Sequence, residues 1–234
     1  MTDKRHVLVL GGSGALGGAL LAELRDAGIE ASFTFHGGDA QRGAHDAGHT
    51  AYGADLRDPH AIPALFDELA RAGRLPQAVV HCAGIAPAQA LADITLGDWD
   101  DVHAIHGRAA LQCAQQMAAR RLRGSLVLVA ALDGVQPVPA PAHYAASQAA
   151  LWGLTQALAK ELGPGGILVN LALVGVLDGG IAAALAPDLR AAYRRHAALA
   201  RTGTCAEAAR ALRWLALENT YLNGAQFPVT GGLG

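Results

Sequence analysis

The stretch Val7-Leu8-Val9-Leu10-Gly11-Gly12-Ser13-Gly14-Ala15-Leu16-Gly17-Gly18 decides the fold. Its first four residues are a compact apolar run with β-branched valines at alternate positions, which predicts a short buried strand ending at Gly11. Glycines at that point allow left-handed backbone in a tight turn and let a ligand come close to the chain. From Ala15 the apolar residues recur at helical spacing to about residue 27. The turn therefore delivers unpaired amides at the positive end of a helix, where a phosphate group is held. Taken alone, such a turn is compatible with a purely structural role; placed after the first strand of an alternating chain, it points to a dinucleotide.

Outward from this turn, short apolar runs alternate with longer Ala/Leu-rich stretches. Strands are predicted over 6–10, 29–35, 49–53, 78–82, 125–131, 166–172 and 225–229, and helices over 15–27, 59–72, 98–121, 143–163, 181–199 and 205–218. Gly28, Gly73 and Gly163, the last followed by Pro164, stand where helices need a left-handed cap. Strict alternation over residues 1–234 leaves no room for a second domain. It predicts a single-domain α/β protein, a Rossmann-type doubly wound parallel sheet of about seven strands flanked by helices.

Composition agrees with one large domain. With 52% hydrophobic and 16% charged residues, the chain is not intrinsically disordered. Eighteen Lys and Arg against 20 Asp and Glu give a net charge of −2, and the basic residues cluster in nothing longer than pairs, which argues against nucleic acid as a partner. The first apolar run is too short to enter a membrane, so a cytoplasmic protein is expected. Cys82, Cys113 and Cys205 are widely spaced in apolar surroundings and read as buried free thiols rather than a disulfide framework or metal pair. Leu173–Ala186, with Gly175, Gly179 and Gly180, is a candidate substrate lid within a segment running to about residue 200. Apolar except for Asp178, it suits a hydrophobic or acyl ligand.

Five segments, taken in order, resemble the short-chain dehydrogenase/reductase family over nearly the whole chain: Gly11, Ala15 and Gly17 of the turn; His81-Cys82-Ala83-Gly84; Trp99 to His106; Tyr144-Ala145-Ala146-Ser147-Gln148; and Asn223 to Gly232. The variety resembled is the 3-oxoacyl or polyketide ketoreductases. The resemblance implies a coenzyme cradle at Gly11, Ser13, Gly14, Ala15, Leu16 and Gly17, adenine contacts at Asp55 and Leu56, and a further contact at Ala83 and Gly84. Strand two ends at His36 without the acid that selects NAD(H), so NADP(H) is favoured, with NAD(H) left open. No arginine stands there in the sequence, and His36 with the Thr34 hydroxyl are the available substitutes for gripping a 2′-phosphate.

The resemblance also implies an Asn, Ser, Tyr, Lys tetrad. Carried over position by position, it reads His106, Ala131, Tyr144 and Gln148, a degenerate set in which the tyrosine alone survives. Gln148 stands where the family's lysine holds the nicotinamide ribose. In the segment that holds the nicotinamide, Val174 and Gly179 replace Pro and Thr, leaving Leu177 as the contact on that side. A free tyrosine titrates near ~10, so phenolate-dependent alcohol oxidation suffers without the lysine. Carbonyl reduction needs the neutral phenol and suffers less.

Other candidates carry two readings each. His106 is either a proton relay or a helix position that drifted. Asp133 is either a pocket acid or a loop cap; Asp178 shares the ambiguity. His143 is expected at the solvent side or as a cap, and His103 on the same helix face as His106 with no third ligand, so no metal is expected. Trp99, Trp152 and Trp214 are expected in the core or a subunit interface. The functional expectation is an atypical NADP(H)-dependent carbonyl reductase with Tyr144 as proton donor and His106 and Asp133 as further catalytic candidates. The alternatives are a non-redox cyclase, isomerase or dehydratase, or a silent subunit pairing with an active relative. Self-association, as dimer or tetramer, is expected through the helices at about 98–121 and 143–163.

Overall fold

A computed structural model describes residues 5–37, 49–131 and 140–233. In chain order the elements are β1 (His6–Leu10), α1 (Ala15–Asp26), β2 (Glu30–Phe35), β3 (Thr50–Gly53), α2 (Ala61–Arg71), β4 (Ala78–His81), α3 (Leu96–His103), α4 (Ala109–Ala119), β5 (Gly124–Ala131), α5 (Ala142–Leu162), β6 (Ile167–Val174), α6 (Pro187–His196), α7 (Cys205–Leu217) and β7 (Gln226–Val229). The seven strands form one parallel sheet in the order β3-β2-β1-β4-β5-β6-β7.

Residues 7 to 10 of β1 show why both faces are covered. Val7 and Val9 point into one layer, with Leu20, Leu24 and Leu212 from α1 and α7. Leu8 and Leu10 point into the other, with Phe66, Cys113 and Leu151 from α2, α4 and α5. All four are fully buried. Alternation along a strand thus feeds two cores at once, and a central strand must be apolar throughout. The strand order reverses between β1 and β4, whose ends lie level (Leu10 pairs with His81). A crevice opens at such a reversal, beyond the carboxyl ends of the strands.

Four expectations need correction. The helix predicted over 98–121 is two helices joined by a π-turn at Ala104–Arg108. The helix predicted over 181–199 is a 3₁₀ turn, Gly180–Ala184, followed by α6. Pro187 opens α6 because proline suits the first helical position and cannot continue a preceding turn. Gly28 and Gly73 are left-handed, at φ +69° and +66°, but Gly163 is right-handed and begins a 3₁₀ turn whose left-handed residue is Gly166, φ +86°. The lid also starts later than expected, since Leu173 and Val174 are the last residues of β6.

Candidate active site

At the end of β1 the chain turns through Gly11, φ +76°, whose N–H donates to the Thr34 hydroxyl at 2.9 Å. Gly14 closes the turn by donating to the Gly11 carbonyl at 3.1 Å. A methyl group on Gly17 would stand 2.3 Å from that same carbonyl, so α1 presses directly on the turn. No side chain caps α1 and its first turn carries no acid. Its leading amides therefore face outward, with Ser13, Gly14 and Ala15 exposed. Thr34 is 2% exposed and bonded to the turn, which corrects its expected part in phosphate binding: it braces the cradle from beneath.

A cleft of about 410 Å³ runs from this turn across the sheet reversal. It brings together the Gly14, Ala15, Leu16 and Gly17 segment, Ala83 and Gly84, His106, Tyr144, Gln148 and Leu177. His36, Asp55 and Leu56 gather elsewhere, past the ends of β2 and β3. Leu56 turns its side chain into the core. Asp55 accepts a two-pronged ion pair from Arg57 Nε and Nη2 at 2.8–3.2 Å; Nη2 also lies 3.4 Å from His36 Nε2, and Nη1 reaches Asp101 at 3.5 Å. The pairing with Arg57 holds the Asp55 carboxyl down at about 2. Arg57 went unnoticed in the sequence because its contact with His36 joins residues 21 apart, in the segments that follow β2 and β3. Asp133 lies outside the described residues.

His106 is 3% exposed, and the π-turn carries it to the cleft. Its Nε2 accepts the Ile85 amide at 3.2 Å, and Nδ1 lies 2.8 Å from the Ser147 hydroxyl, which itself donates to the Tyr144 carbonyl. A backbone N–H can only donate, so Nε2 is bare and the neutral ring carries its hydrogen on Nδ1, toward Ser147. The Gln148 carboxamide oxygen accepts the Ala131 amide at 2.8 Å. Its nitrogen lies 3.1 Å from His106 Nδ1, a donor beside a donor and hence a contact rather than a bond. Tyr144, 6% exposed, meets the His106 ring edge-on at 5.8 Å.

Burial pushes His106 down to about 3, helped by the nearby His81 and His103. It pushes His81, whose ring bonds the Ile105 carbonyl, down to about 4. Both imidazoles are neutral in the folded protein, while the unfolded chain takes up protons at the ordinary value of 6.5. Stability is therefore expected to fall as pH drops below about 6.5, by ~2 kcal/mol per histidine between pH 7 and pH 5. The exposed carboxylates Asp55 and Glu207, held at about 2, titrate below this window. Denaturant unfolding at both pH values checks this; a flat profile, or an unchanged slope in His106→Asn, would contradict it.

The other histidines depart from expectation. His143 is fully buried, not solvent-facing, and neither ring nitrogen finds a hydrogen-bond partner among the described residues. His103 stacks on Trp99 at 4.2 Å, and its ring nitrogen bonds the Trp99 carbonyl. Trp99 and Trp214 are 41% and 37% exposed, while Trp152 packs against the core. Cys113 is buried; Cys82 and Cys205 are only partly so, and all three are free. No group of three His, Cys, Asp or Glu stands ready for a metal among the described residues, and no helix there is long and apolar enough to cross a membrane.

The segment expected as a lid packs down on the glycine turn. A methyl group on Gly179 would lie 3.3 Å from the Ala15 side chain, and one on Gly84 3.7 Å from Ile181. Leu177 bridges to Gly203, and the Asp178 carboxylate accepts the Cys205 amide at 3.0 Å, so Asp178 serves as a tie to the start of α7. Ile181, Leu185 and Tyr193 give the mouth its apolar side.

Comparison with known proteins bears on this arrangement. A family model described as enoyl-(acyl carrier protein) reductase matches residues 14–234. The cyclic-di-GMP-binding biofilm dispersal mediator protein of Escherichia coli is 31% identical over 239 residues, covering 98% of this chain and 97% of that protein. The 3-oxoacyl-[acyl-carrier-protein] reductase MabA of Mycobacterium avium is 28% identical, covering 99% and 90%. A short-chain dehydrogenase from Burkholderia cenocepacia, crystallised with NADP, is 30% identical and superposes with a TM-score of 0.89 over 98% of both chains. With its parallel sheet, glycine turn and cleft, the chain belongs to the short-chain dehydrogenase/reductase family of oxidoreductases.

Proposed function

We propose that the chain binds NADP(H) along the cleft and reduces the carbonyl of an acyl-type substrate, Tyr144 supplying the proton. The observation that carries this reading is that the glycine turn, Tyr144 and the apolar lid share one cleft. The residues fit a dinucleotide at its phosphate end: α1 offers uncapped amides, and at Gly17 a single methyl would close the turn. When bound, the coenzyme supplies the hydride. Gly14 to Gly17 hold its pyrophosphate, the lid side chains exclude water, and the neutral phenol of Tyr144 donates to the oxygen that gains charge. Asp133 stays a candidate pocket acid, and His106, held neutral by burial, orients Ser147 and Tyr144.

At the tetrad positions, Ala131 offers no hydroxyl and Gln148 no charge, so turnover is expected to be slow. Removing one oxyanion donor costs ~10²–10³ in rate, and such effects do not add. Ala131→Ser is therefore expected to raise turnover by about 10-fold or more, read as NADPH absorbance loss with a panel of β-ketoacyl thioesters. No substrate-dependent loss of NADPH in either protein would overturn the reductase reading.

A second reading, coenzyme binding without redox turnover, is favoured by one observation: the Gln148 carboxamide, uncharged at the position where the family has its lysine, commits its oxygen to the Ala131 amide. Such a chain would act as a cyclase, isomerase or dehydratase, or as a silent partner of an active relative. Product formation without NADPH loss, or co-purification with an active relative, would support it. Self-association through α3, α4 and α5 is proposed on the exposed Leu96, Trp99 and Leu111 along α3 and α4, at 84%, 41% and 39%.

A further inference from the structure

The cluster of His36, Asp55, Arg57 and Asp101 lies outside the cleft, at the edge of the sheet where β2 and β3 end. β2 is the neighbour of β1, so its end is where the adenosine ribose of a dinucleotide comes to rest in this topology. The last residues of β2 and the residue after it, Phe35-His36, carry no acid to accept from a ribose hydroxyl. In its place stands a guanidinium delivered from the turn after β3.

The donors of Arg57 are unevenly spent. Nε and one terminal nitrogen go to Asp55, at 2.8–3.2 Å. The other terminal nitrogen reaches Asp101 only at 3.5 Å, and the contact to His36 is also long, at 3.4 Å. A guanidinium has five N–H groups, so a short, strong grip fixes its plane while the remaining edge, in a side chain 44% exposed, is held loosely. That edge is the one a planar fork offers to a phosphate.

We propose that Arg57, oriented by Asp55 beside His36, holds the 2′-phosphate of NADP(H), and that Asp101 competes with that phosphate for the same guanidinium. Arg57 thereby sets coenzyme choice, and the inference rests on the coenzyme reading above. On binding, the phosphate takes the donor now stretched toward Asp101, while the Asp55 pair is kept. The sign of the Asp101 effect is opposite to that of Arg57, a pattern that a merely structural salt bridge would not give.

Calorimetric titration of the full chain with NADPH and with NADH tests this, with thermal melting to verify the fold of each variant. Arg57→Ala is expected to weaken NADPH by ~10- to 100-fold and leave NADH unchanged. Arg57→Lys, which keeps charge but loses the fork, should fall between. Asp101→Asn should tighten NADPH by ~2- to 5-fold and leave NADH unchanged. The double variant Arg57→Ala with Asp101→Asn should remain weak for NADPH; recovery there would mean the arginine only masks a carboxylate, and would overturn the proposal. Equal weakening of both coenzymes by Arg57→Ala, or no weakening, overturns it while leaving the coenzyme reading intact. Uptake of neither coenzyme by the unmodified chain removes the proposed function itself, and this inference with it.

Discussion

Tyr144→Phe is expected to lower NADPH-dependent carbonyl reduction by ~10²–10⁴-fold, the usual contribution of a positioned proton donor. The phenol lines the same cleft as the glycine turn, and its ring is seated against His106. Phenylalanine keeps that ring and its packing, so NADPH affinity and melting temperature should stay close to those of the parent. A large fall in rate with unchanged affinity would assign the hydroxyl to the chemical step. A rate within threefold of the parent would mean the proton comes from elsewhere, with Asp133 the next candidate to test.

The second large effect is expected at Gly17, where one methyl group would stand 2.3 Å from the Gly11 carbonyl and 2.8 Å from the Gly12 Cα. Both are backbone atoms, and neither can swing aside as a side-chain end would. Gly17→Ala must drive the start of α1 away from the turn, at a cost of ~3 kcal/mol typical of overpacking against a rigid neighbour. The same displacement separates the amides of α1 from those of the turn, so NADPH affinity should fall at least ~10-fold as well. Gly18, whose added methyl would find its nearest neighbour at 3.6 Å, is the control: Gly18→Ala should leave stability and affinity nearly unaltered. If both alanines behave alike, close packing at Gly17 is not what shapes the cradle.

What could be read from the residues was local. The apolar run of β1, the turn behind it and the helix after it depend on neighbours a few positions apart, and each lies where periodicity places it. Tyr144 and Gln148, four apart on α5, came from the resemblance to the family's motif, which is itself a local spacing. The failures share a different cause. Arg57 meets His36 only because β2 and β3 pair side by side. Thr34 looks like a free hydroxyl until Gly11 folds back over it. His143 looks like a surface residue because alternation was assumed where a helix begins, and α3 packs against α5. The bond from Ala131 to Gln148 spans strand and helix, 17 residues apart, and no spacing rule would have found it.

The π-turn at Ala104–Arg108 reaches beyond the site it serves. An added residue in a helix is absorbed there as a local widening, and removing it would rotate everything downstream by about 100°. Ala110, Cys113, Ala114 and Met117, all buried against the sheet, would swing out toward water. The address of His106 is thus tied to the seating of the whole following helix. Whatever residue occupies that address, its backbone will keep leaning toward the crevice, so this chain could trade one chemistry for another there without ever rebuilding its frame.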